Sequence, residues 1–466
     1  MTDLVKLETA IRRKAALSPQ VDPDGRPPAF SDEAIALRFA DRHAADLRFV
    51  AAWNRWLAWT GSHWRFDDTL GAFDHARSIC REAAAECNKA KVATAIASAK
   101  TVSAVERLAR ADRRLAATVD QWDADPWLLN TPDGLIDLRT GVPQPHRAES
   151  FVTKITAVAP RGNCPRFLAF LDRIAGGDRD LVAYLRRVLG YALTGLTRDH
   201  ALFFGYGTGA NGKSVLLSTV AGILGDYHKT APIETFTASN ADRHPTDLAG
   251  LRGARLVTAT ETEEGRRWAE SRIKQLTGGD TIAARFMRQD FFEYRPAFKL
   301  VIAGNHKPSL RSVDEAIRRR FHLIPFAVTI PVEERDPDLT EKLKAEWPSI
   351  LAWIVKGCLE WQTEGLRPPK AVLDATEAYM TAEDSIAQWV DDKCELASDA
   401  WESSSILFAS WTAWANAAGE NPGSNKRFAQ ALETRGFCRR RKMHGQGFDG
   451  LRLIPDRADW AARYDP

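Results

Sequence analysis

Lys213 and Ser214 close the stretch Gly207-Thr208-Gly209-Ala210-Asn211-Gly212-Lys213-Ser214. Its spacing, G-x-x-x-x-G-K-S, suits the holding of nucleotide phosphates. Backbone N–H groups of such a loop point at phosphate oxygens, and a helix N-terminus adds partial positive charge. Lys213 would bring a compact cation to the β- and γ-phosphates, and the Ser214 hydroxyl would ligate Mg²⁺. The expected binding segment is Gly207, Thr208, Gly209, Ala210, Asn211, Gly212, Lys213, Ser214 and Val215.

Hydrolysis needs more than a cradle. It needs an acid near Mg²⁺, a group that senses the γ-phosphate, and often an arginine from a neighbour. Glu261 follows the apolar run Ala254–Thr260, and Glu263 lies two residues on, where an extended chain faces the same way. Glu261 is the first expectation for the Mg²⁺ acid and Glu263 the second. Asn305 follows the apolar run Phe298–Gly304 and is the expected γ-phosphate sensor. Arg318, Arg319 and Arg320 end a helix-like segment from Asp314. Such a cluster can offer a guanidinium to a neighbouring subunit, or simply form a solvated basic helix end. Between the two apolar runs, Arg285, Arg288 and Gln289 sit among aromatics and could meet a phosphate backbone.

These groups require particular elements. Ala201–Phe204 reads as a buried strand, and Val215–Leu224 reads as a helix. Apolar strands alternate with helices to about Pro331, which predicts an α/β core. Before it, helical signals run from Ser31 to Thr60 and from Gly71 to Val119. Trp53, Trp56 and Trp59 fall at helical spacing and read as a buried stripe. Pro132-Asp133-Gly134 predicts a hairpin turn within Trp127–Leu138. Pro165–Leu196 is helical again. Past the Leu366-Arg367-Pro368-Pro369 break come three helix-like stretches and a basic segment, Arg439-Arg440-Arg441-Lys442. Helices followed by a basic hairpin suggest a winged helix-turn-helix.

The expected organisation is a poorly ordered lead-in (1–32), a mostly helical N-terminal domain (33–160) and a helical collar (161–197). An ATPase core (198–332), a helical extension and linker (333–370) and a winged-helix-like domain for DNA or a partner (371–466) follow.

The 466 residues carry a net charge of +3, too little to imply a polyanion partner by itself. Hydrophobic and charged contents of 44% and 27% fit a soluble globular protein. The six cysteines form no C-x-x-C pair, which argues against a zinc site or a disulfide framework. The N-terminus has no signal pattern and no run is long enough to span a membrane, so a cytoplasmic setting is expected.

Taken together, these motifs resemble those of superfamily 3 helicases, a viral and plasmid branch of the AAA+ ATPases. Phage and plasmid primase–helicases and poxvirus-type nucleoside triphosphatases are the nearest likeness. The matching text is Gly207–Ser214, Thr258–Gly265, Ile273–Asp280, Ala303–Pro308 and Asp314–Arg320. Leu129–Thr140 and Trp53–Trp64 resemble the helical domain that precedes the ATPase there, and Ala375–Leu453 its winged-helix part. The resemblance implies ATP and Mg²⁺ as cofactors and a homo-oligomeric ring, commonly hexameric. It implies 3′-to-5′ movement on single-stranded DNA and unwinding of forked duplex. Arg285–Gln289 would lie in the pore-loop region, and Arg319, with Arg320 close behind, would be the arginine finger. From its own charge, the basic segment Arg439, Arg440, Arg441 and Lys442 is the expected DNA contact of the tail, with a primase partner or only solvent as the alternatives. The residues before the loop show no acidic cluster for nucleotidyl transfer, so a separate primase or polymerase partner is expected. An ATP-switched origin-binding or loading protein is the alternative; a small-molecule kinase fits Asn305 and the arginines less well.

Overall fold

The computed structural model describes residues 27–238, 246–261, 265–288, 290–311, 313–442 and 445–454. Glu263, Gln289 and nearly all of the expected lead-in lie outside them.

The N-terminal unit is mixed α/β, not mostly helical. Helix α1 (Asp32–His43) starts at Ser31, whose hydroxyl accepts from Ala34 N at 3.2 Å. Then come β1 (Leu47–Val50), β2 (Arg55–Trp59) and β3 (Trp64–Phe66). Helices α2 (Gly71–Glu86), α3 (Ala90–Ile96) and α4 (Ala99–Ala109) precede β4 (Ala116–Ala117), and the sheet order is β3-β2-β1-β4. The tryptophan spacing explains the difference from the helical expectation. A spacing of three marks one face of a helix but opposite faces of a strand. Trp56 packs against Phe39 and Phe49, while Trp59 packs against Trp64 on the other side. Asn54, at φ 50°, supplies the left-handed residue that turns β1 into β2.

A three-stranded sheet follows: β5 (Leu128–Thr131), β6 (Gly134–Asp137) and β7 (Val142–Gln144). Its first turn is the expected Pro132-Asp133-Gly134 hairpin.

The central unit opens with α5 (Pro165–Ile174) and α6 (Arg179–Leu193). Next come β8 (Leu202–Tyr206), α7 (Lys213–Leu224), β9 (His228–Thr230), α8 (Thr246–Ala249), β10 (Leu256–Glu261) and α9 (Glu270–Gly278). The hairpin β11 (Ile282–Ala284) and β12 (Phe292–Tyr294) leads to β13 (Lys299–Gly304), α10 (Glu315–Arg318) and β14 (Phe321–Pro325). Five strands pair in parallel, in the order β14-β8-β13-β10-β9. Both faces are covered, as near-continuous apolar strands require. Leu202, Phe204, Leu300 and Ile302 enter one core; Phe203 and Val301 enter the other. The second of these cores includes α5, α6, α7 and α12 (Trp347–Glu364), the last reached through α11 (Leu339–Lys344).

Helix α13 (Lys370–Ala382) belongs with the central unit. Its Tyr379 and Met380 lie in the core of the parallel sheet. The tail's own core begins later, at α14 (Ser385–Lys393), so the boundary expected at 371 falls one helix too early. The proline break ended a helix without ending the unit. The tail continues through β15 (Cys394–Ser403), α15 (Ser404–Ala417), α16 (Asn425–Thr434), β16 (Cys438–Lys442) and β17 (Gly445–Leu453). Its antiparallel order β15-β17-β16 leaves the basic strand at an edge, over a core of Trp389, Leu407, Trp411, Phe428 and Phe448.

Candidate nucleotide site

In parallel pairing, Tyr206 lies beside Gly304, and Gly304 beside Glu261. The carboxyl ends of β8, β13 and β10 are therefore level. The segment after each strand emerges on one edge, where open parallel sheets bind ligands. That register brings the glycine-rich loop, Asn305 and Glu261 together, although long stretches of chain separate them.

The loop is shaped by left-handed backbone. Gly209, Ala210 and Gly212 have φ of 58°, 50° and 81°. A Cβ on Gly212 would lie 2.5 Å from Ile174 Cγ2 and 3.0 Å from Phe170 Cε2, so only glycine fits between loop and α5. The segment after β14 braces the loop: Phe326 N donates to Tyr206 O and Ile330 N to Ala210 O, each at 2.8 Å.

Lys213 begins α7 and is 7% exposed. Its Nζ donates to Gly207 O at 2.8 Å, Asn211 Oδ1 at 3.0 Å and Asn305 Oδ1 at 3.4 Å. Asn211 in turn donates from Nδ2 to Phe326 O at 3.2 Å. Sequence reasoning counted Asn211 only as loop backbone; its side chain orients the lysine. Burial pushes the Lys213 pKa below the ordinary lysine value. Among the described residues Lys213 has no ion pair. A desolvated cation without a counter-charge favours an anionic ligand, which is what a phosphate would be.

Ser214 is exposed at the first turn of α7, where its hydroxyl is open to a cation. Of Glu261 only the backbone is described; it ends β10. Asn305 is exposed, immediately beyond β13. One hydroxyl, one strand-end acid and a phosphate fit the way Mg²⁺ is usually held, with few protein ligands and the rest water. No helix among the described residues is long and apolar enough to cross a membrane.

The three arginines are separated by their surroundings. Arg318 pairs with Glu377 at 2.6 Å. Arg320 is 7% exposed and donates to Ala316 O at 2.6 Å and Thr277 Oγ1 at 3.2 Å. Buried and bonded within its own chain, the Arg320 guanidinium is less open to a neighbour than that of Arg319. Arg319 is exposed and has no partner among the described residues. It precedes β14, whose Phe321 lies opposite Leu202 at the start of β8. It therefore sits at the end of the sheet away from the loop, on the order of 15 Å or more along the strands. Arg319 does not approach its own subunit's Lys213.

The candidate DNA contacts also divide. Arg285 is partly buried, its guanidinium 4.7 Å from the Phe291 ring, with a buried Nε that has no hydrogen bond. It shapes the hairpin tip more than it presents charge. Arg288 is exposed at φ 61°, beside Met287 and Phe291, themselves 69% and 59% exposed. In the tail, Asp449 faces Arg440 at 3.1 Å and Lys442 at 3.6 Å, and Arg439 meets Gln446 at 2.7 Å. Arg441 is exposed without a partner among the described residues. Exposed pairs of this kind are weak, so phosphates can exchange with them.

Residues 36–176 match the family model described as D5 N terminal like, and residues 205–320 match a family of unknown function (DUF5906). The chain is similar to a protein of Acanthamoeba polyphaga mimivirus bearing the name "Putative helicase", 26% identical over 296 residues. That match spans 58% of this chain and 31% of the relative. Proteins of the same name from Frog virus 3 and Invertebrate iridescent virus 6 are 24% and 26% identical, over 55% and 60% of this chain. The matches span 28% and 33% of those two relatives, so the aligned part is about a third of each viral protein or less. The likenesses to curated proteins are thus to helicase-named proteins of viruses. Among solved structures, the apo NrS-1 C terminal region (305-718) superposes with a TM-score of 0.49 at 10% identity, over 91% of this chain and all of that one.

Proposed function

We propose that this chain is an ATP-dependent DNA helicase motor of the superfamily 3, AAA+ type. One observation carries the reading. A buried lysine, with no anionic partner among the described residues, points with Asn305 into the edge where the glycine-rich loop and the ends of three parallel strands converge. In this reading the loop from Gly207 to Val215 binds the triphosphate and Lys213 neutralises its charge. Ser214 and Glu261 hold Mg²⁺, with Glu263 as a second acid. Held there, Mg²⁺ would supply positive charge to offset the negative charge that develops on transfer. Asn305 would place the attacking water. The helicase names of the viral relatives and the D5-like match support the same reading.

The arginine geometry favours a ring. Arg319 is exposed and remote from its own loop, so it can act on a nucleotide only in another subunit. Ring size and 3′-to-5′ polarity stay with the family resemblance. Arg288 at the hairpin tip would meet single-stranded DNA, and the tail would act as a winged helix in which Arg441, exposed and without a partner among the described residues, offers a cation. A second reading, an ATP-switched loading protein without processive unwinding, draws on that tail. A separate primase or polymerase would then act on the opened strand.

Steady-state ATP hydrolysis with and without single-stranded DNA, beside unwinding of a forked duplex, tests this. DNA-stimulated turnover with strand separation is expected. Turnover indifferent to DNA, with no unwinding, would overturn the helicase reading and leave the loading one.

A further inference from the structure

The hairpin β11–β12 has two strands of three residues each, and among the described residues no third strand joins them. A ribbon of that size does not hold its own orientation in water. Something outside it must set where its tip points.

Arg252 lies in the turn after α8, partly buried. Its guanidinium is 5.1 Å from the ring centre of Phe292, the first residue of β12, and 5.5 Å from that of Trp53. Among the described residues the guanidinium makes no hydrogen bond or ion pair, although it carries five donors. Two ring faces from two different units are what hold it, as an ammonium or guanidinium over an indole can be held. Trp53 is tied to the N-terminal unit by Phe66 at 5.5 Å and Trp122 at 6.1 Å. Phe292 stacks on Phe286 at 5.8 Å, next to the exposed tip residues Met287 and Arg288. Helix α8, just before that turn, makes a second tie: the Tyr294 hydroxyl donates to Leu248 O at 2.5 Å. A continuous line of contacts thus runs from the N-terminal sheet to the hairpin tip.

We infer that Arg252, clasped between Trp53 and Phe292, is a positioning residue through which the N-terminal unit aims the hairpin. Its consequence for DNA rests on the proposed role of the tip as a DNA contact; the positioning itself does not. The N-terminal unit is then part of the coupling between DNA and hydrolysis, not a passive appendage.

The test uses the full chain with Arg252→Ala, Arg252→Lys, Trp53→Ala and Trp53→Phe. The first readout is the rate of tryptic cleavage after Arg288 in the native protein. Arg252→Ala, which loses both cation–π contacts, should be cut on the order of fivefold faster or more, and Trp53→Ala, which loses the contact to the N-terminal unit, on the order of threefold faster or more. The lysine and phenylalanine variants should recover most of the protection. The second readout is the concentration of single-stranded DNA giving half-maximal stimulation of hydrolysis. It should rise by a similar factor in the alanine variants, with DNA-free hydrolysis unchanged. Unchanged cleavage in both alanine variants overturns the inference. So does equal loss in Trp53→Phe and Trp53→Ala, because the ring face would then be irrelevant. Faster cleavage in a protein whose hydrolysis ignores DNA would uphold the positioning and remove the DNA role of the tip.

Discussion

At the scale of single residues, chemistry depends on which charges are left without partners. Lys213 is buried with no carboxylate partner among the described residues, so Lys213→Ala should abolish hydrolysis; near-normal turnover would remove the loop from the chemistry. Arg319→Ala should lose hydrolysis on the order of a thousandfold while keeping nucleotide binding, the scale reported for trans-acting arginines. Mixing it with Lys213→Ala protein should restore partial activity, because one subunit supplies the arginine and the other the loop. No restoration in mixed oligomers would remove the trans role. His322 gives a pH prediction. Packed beside Tyr184 and Phe203, with its Nδ1 2.8 Å from the Tyr184 hydroxyl, it has its pKa lowered by burial to about 4. The fold therefore favours the neutral ring. That contribution is complete above pH 6.5 and is lost as pH falls toward 4. At about 1.4 kcal/mol per pH unit, roughly 3 kcal/mol is at stake. Urea midpoints of the native chain should fall across this window more steeply than those of His322→Phe. Parallel profiles would show that His322 is not the titrating group.

At the scale of elements, a close helix crossing packs behind the parallel sheet. A Cβ on Gly190 of α6 would lie 2.1 Å from Cys358 N, and one on Gly357 of α12 would lie 2.1 Å from Arg186 O. The two backbones touch there, and no side chain can enter without moving one helix. Gly190→Ala should cost about 1–3 kcal/mol or more of stability, read as a lower urea midpoint. An unchanged midpoint would mean that α6 can shift freely against α12. The short helix α10 shows another dependence on neighbours. One turn long, it is capped by Asp314, whose carboxylate accepts from Ile317 N at 2.8 Å and pairs with Lys274 of α9 at 2.5 Å. Helix propensity alone does not sustain one turn; the pair with α9 fixes the turn that carries Arg319.

At the scale of the whole molecule, the tail and the central unit separate later than the proline break suggests. The Trp268 indole donates to the Tyr379 hydroxyl at 3.1 Å, and Tyr379 donates to Pro308 O. Ending the chain after Leu373 would strip these groups from the central core and should lower thermal stability sharply. Ending it after Glu383 should leave basal hydrolysis near normal. DNA affinity should then weaken, and its dependence on salt should become shallower as phosphate contacts are lost. Unchanged affinity across a salt series would remove the tail from DNA binding.

Local pattern alone carried much of this. The glycine spacing, the apolar runs ending at Glu261 and Asn305, the Pro132-Asp133-Gly134 hairpin and the tail helices are each encoded by neighbours in sequence. Where the signal was ambiguous, tertiary packing decided. A tryptophan every third residue served two faces of a strand, since strand pairing and two separate cores were available to bury both. Among three consecutive arginines, composition could not choose. Burial took Arg320, an ion pair took Arg318, and only Arg319 was left in solvent. The alignment of Tyr206, Gly304 and Glu261 at one sheet edge is a matter of register. Register is set by long-range pairing between strands, and no local stretch of the chain contains it.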